Sequence, residues 1–562
     1  MFIIFIYFYR FYPLDVISRY RIIVYKYTTK RERTFSMRNL TYELIQRNLY
    51  DSSLDTLPTT GEPLTLNVHQ TLTQDSTGTM VYLQLEAINP KSLRTELSVA
   101  YIDHNMLQSG HENADDHAFI ASCAKKYGII FSKPGNGICH QLHLDNFSKP
   151  GKVLIGSDSH TPTCGAMGML AIGAGGLDVA LGMTTGTYTI PMPKVIGIEL
   201  IGKRKPWVSA KDVIFEVLRR LTVSGGTGSV LEYYGEGVLD LSLPERATIT
   251  NMGAELGATT SLFPSDPTTL NYLRLMHRAK DYVPLTTPEN PTYNTQLTLN
   301  LSELEPMVAK PHSPDHIALL SEVVGIKVDQ VAIGSCTNGS FDDLMQVCSI
   351  LKGKRIHPRV SLIISPGSSA VLEQLASSGA LATLIASGAR LLESGCGPCI
   401  GMGQAPKSSG ISLRTFNRNF KGRCGTQDAQ VYLVSPQIAA LSALAGELVT
   451  PSQEEAPMLS APIYFPTHGN LFIYPSQLGQ RTDSTIEKGP NIKSVPIAPT
   501  FEDHLELTLN LVVGDHVTTD HIMPSNAKLL PYRSNVPKLS KHCFEPLDPE
   551  FSQRASNTKA SL

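Results

Sequence analysis

Cys336, Cys396 and Cys399 lie in two loops of small and polar residues, "GSCTNGS" and "GCGPCIG". Two sulfurs in a Cys-x-x-Cys turn suit a disulfide, a thiol redox pair, a zinc site or part of an iron–sulfur cluster, and the pair alone does not choose among them. The third cysteine shifts the balance. Three thiolates suit a cubane cluster in which one iron has no protein ligand and stays open as a Lewis acid, whereas four would close the site. Structural zinc would want a fourth Cys or His close by, and neither loop supplies one. The other six of the nine cysteines sit mostly in helical or apolar contexts, where a small buried side chain is expected.

Acid–base candidates occur in other glycine-rich loops. "LIGSDSHTPTCGAMGM" places Asp158, Ser159 and His160 just after a short apolar run, and "SVAYIDH" does the same for Asp103 and His104. A carboxylate beside an imidazole orients and charges it, so that it can give or take a proton near neutral pH. His140 in "GICHQ" is a third candidate. "NRNFKGR" contributes Arg418 and Arg423, paired guanidiniums of the kind a polycarboxylate engages bidentately. His111 and His117 in "GHENADDH" are six apart, wrong for two ligands on one helical face, and read as an acidic helix surface.

Such residues need a scaffold that gathers them. Glycine-punctuated apolar runs alternate with helical patterns from about residue 60 to 480, which predicts α/β layering. Val328 to Ile333 reads as a strand, Gly334 to Gly339 as a loop, and Phe341 to Lys352 as a helix capped by Ser340. A strand in "RVSLIISP", a helix from Ser369 to Ala386 and a strand in "ARLLES" follow. Cys336 and the Cys396/Cys399 pair therefore each follow the carboxyl end of a predicted strand, the edge where open α/β sheets bind ligands. A polar connection, Gly479 to Pro499, leads to "LELTLNLVVGDHVTT", whose alternation predicts the first strand of a further domain.

A chain of 562 residues with 42% apolar and 17% charged residues has the length for three or four soluble globular domains. A formal charge of −2 leaves no electrostatic case for a nucleic-acid partner. An odd cysteine count fits a reducing compartment. The first 36 residues carry seven Lys/Arg against two acids, with six tyrosines. Their apolar run from Met1 to Tyr9 is too short to span a bilayer and precedes its basic residues, so neither a membrane anchor nor a secretory signal is expected. Upstream sequence added by a gene model is the reading of choice, with "MRNLTYELIQRNL" from Met37 as the first helix and a mitochondrial presequence as the alternative.

Taken together, "HQTLTQDSTGTM", "GSDSHTPT", "ATITNMGAELGATTSLFP", "GSCTNGS", "GCGPCIG", "NRNFKGR" and "TTDHI" resemble the aconitase family, in family order, from about Met37 to Arg533. The resemblance implies three α/β domains around a [4Fe–4S] cluster held by Cys336, Cys396 and Cys399, plus the start of a fourth, swivelling domain. The implied divisions are 37–194, 195–308 and 309–478 for the three domains, 479–503 for a linker and 504–562 for the partial fourth, with 1–36 an atypical extension. Gln74, Asp158, Ser159 and His160 match substrate-contacting positions. Asp103 with His104, and Glu255 near His160, match carboxylate–imidazole pairs around the leaving hydroxyl. Asn251, His140 and Asn417 match other active-site positions, and Arg418, Arg423 and Arg533 match the clamps on substrate carboxylates. Asp520 with His521 matches the motif opening the mobile domain.

The reaction implied is the reversible isomerisation of citrate and isocitrate through cis-aconitate, the hydro-lyase step of the tricarboxylic acid cycle. The expected partner is that small tricarboxylate alone, with no nucleic acid and no membrane, for a cytoplasmic monomer (mitochondrial matrix as the alternative). The family's base is a serine in a glycine-rich loop late in the fourth domain, and "SQR" at Ser552 to Arg554 lacks that context. The expectation is a truncated gene model or fragment of low activity. A separate small subunit supplying the base is the other option, although such splits fall between domains and this break falls inside one. The rival activity is 3-isopropylmalate or homoaconitate dehydration. Rivals of other classes are a cluster-free RNA-binding role and a zinc- or thiol-redox protein.

Overall fold

The computed structural model describes residues 38–51, 57–452, 471–496, 508–515, 517, 519–524, 529 and 532–558. The basic and aromatic stretch 1–36 lies outside them. Arg38–Val495 with Ser525–Leu539 pack as one unit, and Pro496–Pro524 with Ser540–Leu562 belong to a second.

Three mainly parallel sheets carry the large unit. The first has six strands in the order Phe472–Ile473, Ile130–Ser132, Leu97–Tyr101, Gln70–Gln74, Val153–Gly156 and Leu170–Gly173. All run parallel except the Phe472–Ile473 edge. The second aligns Thr260–Leu262, Ser229–Tyr234, Lys194–Ile201 and Thr295–Asn300, all parallel. The third has seven strands, with Ile317–Leu319 and Met307–Ala309 as an antiparallel margin to Gln430–Leu433, Ile411–Arg414, Gln330–Gly334, Ser361–Ser365 and Arg390–Leu391. In the first sheet, and in the parallel part of the third, the chain starts at an inner strand, winds outward one way, then returns to wind the other. That reversal opens a crevice at the carboxyl ends of Gln70–Gln74 and Gln330–Gly334.

Local chemistry accounts for the elements around the third sheet. Gln330–Gly334 is buried throughout, as a strand covered on both faces must be. Ser340 and Asp343 form a reciprocal capping box that starts the helix Phe341–Leu351, whose Phe341, Leu344, Val347 and Leu351 enter the core. Burying each such side chain stabilises the fold by about 1.5–3 kcal/mol. Gly334 has φ +121°, and a Cβ there would sit 1.9 Å from the Ser365 carbonyl oxygen, so only glycine turns the chain into the Cys336 loop.

Several expectations need correction. The Gly334 to Gly339 loop contains a short helix, Ser335–Asn338. The helix expected from Ser369 to Ala386 breaks into Ser369–Ser377 and Ala380–Ala386, bent by 86°, where Gly379 adopts φ +77°. Continuous apolar content hid a break that a left-handed glycine imposes. "LELTLNLVV" forms no strand over its described part, 508–513. Alternation marks which side chains could face a core, but a strand also needs a neighbour to pair its backbone groups. The polar connection after Gly479 is no free linker either. Thr482 donates its N–H to the Lys126 carbonyl at 2.7 Å, and Glu487 to Ser122 Oγ at 2.9 Å. Ile492 is buried in the core under the helix His111–Tyr127.

In the second unit, Phe551 opens the helix Phe551–Asn557 and packs edge-on to Phe544 at 5.0 Å. Among the described residues no single helix is long and apolar enough to cross a membrane.

Candidate active site

Strand ends of the first and third sheets deliver most of the chemistry. Gln74 ends the central strand of the first sheet, Asp103 and His104 follow Leu97–Tyr101, and Asp158 to His160 follow Val153–Gly156. The second sheet's helix Leu243–Gly253 and the turn Ala254–Leu256 supply Asn251 and Glu255. From the third sheet come Cys336, the Cys396/Cys399 turn and, after Ile411–Arg414, Asn417 and Arg418.

Asp158 is the hub of the polar cluster. Its Oδ1 lies 2.8 Å from His140 Nε2 and accepts the His160 backbone N–H at 2.8 Å, while its Oδ2 accepts Gln74 Nε2 at 3.2 Å. His104 Nε2 lies 3.3 Å from the same Oδ2. Burial would raise the Asp158 pKa, but the charge of His140 and hydrogen bonds from His104, His140 and His160 outweigh it and hold the carboxyl well below its usual range. His104 Nδ1 meets Asp103 Oδ1 at 2.7 Å. Burial opposes charging His104, yet the Cys396 sulfur and the Asp103 carboxylate lift its pKa well above the ordinary imidazole value. A charged imidazole between two carboxylates is a proton donor in waiting.

A second pair is built on Glu255. His160 Nε2 lies 2.7 Å from Glu255 Oε1, and Arg418 Nε donates to both Glu255 oxygens at 2.8 and 3.1 Å. Arg418 also reaches Ser159 Oγ from Nη2 at 3.0 Å. Burial would raise Glu255, but the Arg418 charge and the His160 hydrogen bond bring it down to about 2. Arg423 carries a buried Nε with no hydrogen-bond partner among the described residues, as suits a donor kept for an anion.

The three cysteines converge. Asn417 Nδ2 donates to Cys336 Sγ at 3.4 Å, and Asn417 Oδ1 accepts from Cys399 Sγ at 3.7 Å. The Cys396 N–H bonds the Asp103 carbonyl at 2.7 Å, tying the cysteine turn to the Asp103–His104 turn. Burial, with Cys396 and Cys399 close by, pushes the Cys336 thiol up to about 12. Sulfurs facing each other in a dry site ionise together only when a metal takes up the charge. A further cysteine, Cys424, turns its Sγ to the Cys399 carbonyl at 3.7 Å instead. The donor set fits an iron–sulfur cluster with three protein ligands.

The aconitase-family profile (aconitate hydratase) matches residues 47–325 and 320–446. The chain belongs to the aconitase family. It is 36% identical over 394 residues to 3-isopropylmalate dehydratase large subunit 2 of Archaeoglobus fulgidus, covering 70% of this chain and 95% of that one. It is 34% identical over 547 residues to a mitochondrial aconitate hydratase of Gracilaria gracilis, covering 86% and 69%. A methanogen homoaconitase large subunit of Methanocaldococcus jannaschii is 35% identical over 397 residues, covering 69% and 94%.

Not every residue matched to aconitase-family positions joins this group by a described contact. Asn251 does: its Oδ1 accepts from Asn417 Nδ2 at 3.0 Å and its Nδ2 donates to Thr163 Oγ1 at 2.9 Å. Arg533 is half-buried in a turn of the large unit, next to the buried Ser534. Asp520 lies in a short helix, Thr519–Ile522, of the second unit, and its side chain is outside the described ones. Ser552 sits within a helix and donates to the Ser540 carbonyl at 3.0 Å.

Two functional residues escaped the sequence reading. Asp75 is fully buried and accepts the backbone N–H groups of Asp103, His104 and Asn105 at 2.9, 2.8 and 2.8 Å, which sets the His104 turn. His117 Nε2 meets Asp75 Oδ2 at 3.2 Å. His117 therefore corrects the acidic-surface reading: it is buried, while His111 stays outside. Asn113, His117, Ile120 and Ala124 share the inner face of the helix, a stripe visible in the spacing once His117 is judged apart from His111.

Proposed function

We propose that this chain is the cluster-bearing part of an iron–sulfur hydro-lyase that removes and adds water on a 2-hydroxy polycarboxylate, of the 3-isopropylmalate or homoaconitate dehydratase kind. The observation carrying the reaction class is the Asp103–His104–Asp158 array near three convergent sulfurs, with Arg418 reaching Ser159 beside Asp158. Citrate–isocitrate isomerisation, the first expectation, becomes the second reading. Relatives named for isopropylmalate and homoaconitate chemistry align over 94–95% of their own lengths, against 69% for the aconitate hydratase. In favour of the second reading, the aconitate hydratase alignment covers 86% of this chain.

Cys336, Cys396 and Cys399 would hold the cluster. When bound, it supplies a Lewis-acidic iron for a substrate hydroxyl and carboxylate. His104 Nε2 gives its proton to the departing hydroxyl, and Asp103 keeps the ring oriented through Nδ1. Asp158 holds His140 and Gln74 around the same point. Arg423, together with Arg418 held by Glu255, engages the substrate carboxylates. Ser552, the serine nearest the chain end considered for the family's base, donates its hydroxyl to the Ser540 carbonyl at 3.0 Å.

Substrate choice is tested by reconstituting the cluster anaerobically and titrating 3-isopropylmalate, homocitrate, citrate and isocitrate against cluster-loaded protein, reading perturbation of the cluster spectrum. Tighter binding of 3-isopropylmalate or homocitrate is expected. Preference for citrate would return the assignment to aconitate hydratase, and a colourless zinc protein would end the hydro-lyase reading.

A further inference from the structure

Lys211 has no part in the chemistry just described, yet it is one of the most buried cations in the chain, with no solvent exposure. It sits in the first turn of the helix Ala210–Leu221, whose start is fixed by a capping box between Ser209 and Asp212. Its Nζ donates to the Asn338 Oδ1 at 3.1 Å, to the Phe416 carbonyl at 2.8 Å and to the Thr415 carbonyl. All three acceptors are neutral. No described carboxylate forms an ion pair with it, although Asp343 stands behind Asn338, accepting from Asn338 Nδ2 at 3.1 Å. A buried ammonium satisfied only by dipoles is costly unless an anion lies nearby.

The acceptors say where that anion belongs. Asn338 closes the short helix Ser335–Asn338 that carries Cys336. Thr415 and Phe416 lead directly into Asn417, the amide that touches both Cys336 and Cys399. Lys211 thus grips both loops that bear on these sulfurs. Burial pulls its pKa down to about 7, and the charges that push it back up are those of Asp343, Cys336, Asp212 and Cys399. Asp343 and Asp212 are themselves raised to about 6 by burial and engaged in helix caps. The two cysteines are the groups whose charge would grow once they ligate metal.

We propose that Lys211 is a positioning residue and built-in counter-charge for the cluster, holding the Cys336 and Asn417 loops in register while offsetting the negative charge that three thiolates bring into a dry site. This rests on the iron–sulfur reading above. Its consequences are that Lys211 governs how firmly the cluster is kept and how easily it is reduced, without touching substrate.

The test compares wild type with K211M and K211R, each assembled anaerobically and assayed for three readouts: the rate of cluster loss in air, the cluster reduction potential, and the rise in melting temperature on cluster loading. K211M should lose its cluster about 10–100-fold faster, in line with other residues that support metal ligands. Its reduction potential should fall and its cluster-induced stabilisation should shrink, while K211R, which keeps the charge, should restore the potential. A merely structural lysine would lower the melting temperatures of cluster-free and loaded protein equally and leave potential and increment unchanged; that result overturns the proposal. If K211M does not fold, K211Q, which keeps a donor and drops the charge, carries the same expectations. A wild-type chain that takes zinc and shows no visible band overturns the iron–sulfur reading itself, before any variant is compared.

Discussion

Glu255 Oε1 lies 2.7 Å from His160 Nε2 and accepts Arg418 Nε at 2.8 Å, so one carboxylate oxygen joins an imidazole from the first sheet to a guanidinium from the third. The carboxylate itself comes from a helix of the second-sheet region. Three parts of the fold must be in place before this pair exists.

E255Q is therefore expected to reduce turnover by about 10²-fold or more. The same change exposes a pH signature. Glu255 is held at about 2 in the folded chain against 4.5 for the free group, so its charge stabilises the fold above pH 4.5 and that contribution fades as pH falls toward 2. Urea unfolding should separate wild type from E255Q at neutral pH and bring them together in acid. A separation independent of pH would contradict the ion-pair account.

Asp116 titrates in the opposite sense. Burial lifts its pKa from 3.8 to about 7, against a hydrogen bond from Ser534 that lowers it. Between those values the folded chain keeps a proton that the unfolded chain releases, so this group makes stability fall as pH rises through the window and costs most above pH 7. D116N should flatten that slope and melt higher than wild type in mildly alkaline buffer, with the two curves meeting near pH 3.8. Parallel melting curves at all pH values would show that Asp116 is not the titrating group.

His117 supports the His104 turn through Asp75 and sits one carboxylate behind it. H117A leaves a buried carboxylate short of a partner and should cost about 1–3 kcal/mol of stability. Because Asp75 holds three successive backbone N–H groups around His104, kcat should fall while KM changes little. An unchanged kcat in stably folded H117A protein would separate His117 from the site.

Cys399 and Cys424 are neighbours with different expected fates, because Cys424 points at the Cys399 backbone and Cys399 Sγ at Asn417. After anaerobic reconstitution, C399S should lose most of the visible cluster absorbance and C424S should retain it. Equal loss from both would make Cys424 a ligand and reopen the three-cysteine assignment.

Loop residues outside strong periodicity were readable from sequence when type and context agreed. Cys336, Cys396, Cys399, Asp158, His160, Arg418 and Arg423 stand out only as a set, since a single Asp-His pair or arginine pair alone reads as surface loop or solvated charge. The parallel α/β order was equally legible, since buried parallel strands read as unbroken apolar runs. The reading failed in two places. "LELTLNLVV" alternates like a strand yet forms none over its described residues 508–513, and the Ser369 to Ala386 helix broke at one glycine.

By itself, then, the sequence determined which side chains are competent for thiolate ligation, proton transfer and carboxylate binding, because those are properties of residue type and local turn. Only the tertiary structure decided which of them work together. Asp75, His117 and Lys211 look like ordinary charges in a strand end and two helices, and they matter because folding places them behind the His104 turn and the Cys336 loop. Burial is the physical reason: removed from water, each must find a partner, and those partners are the loops that form the site.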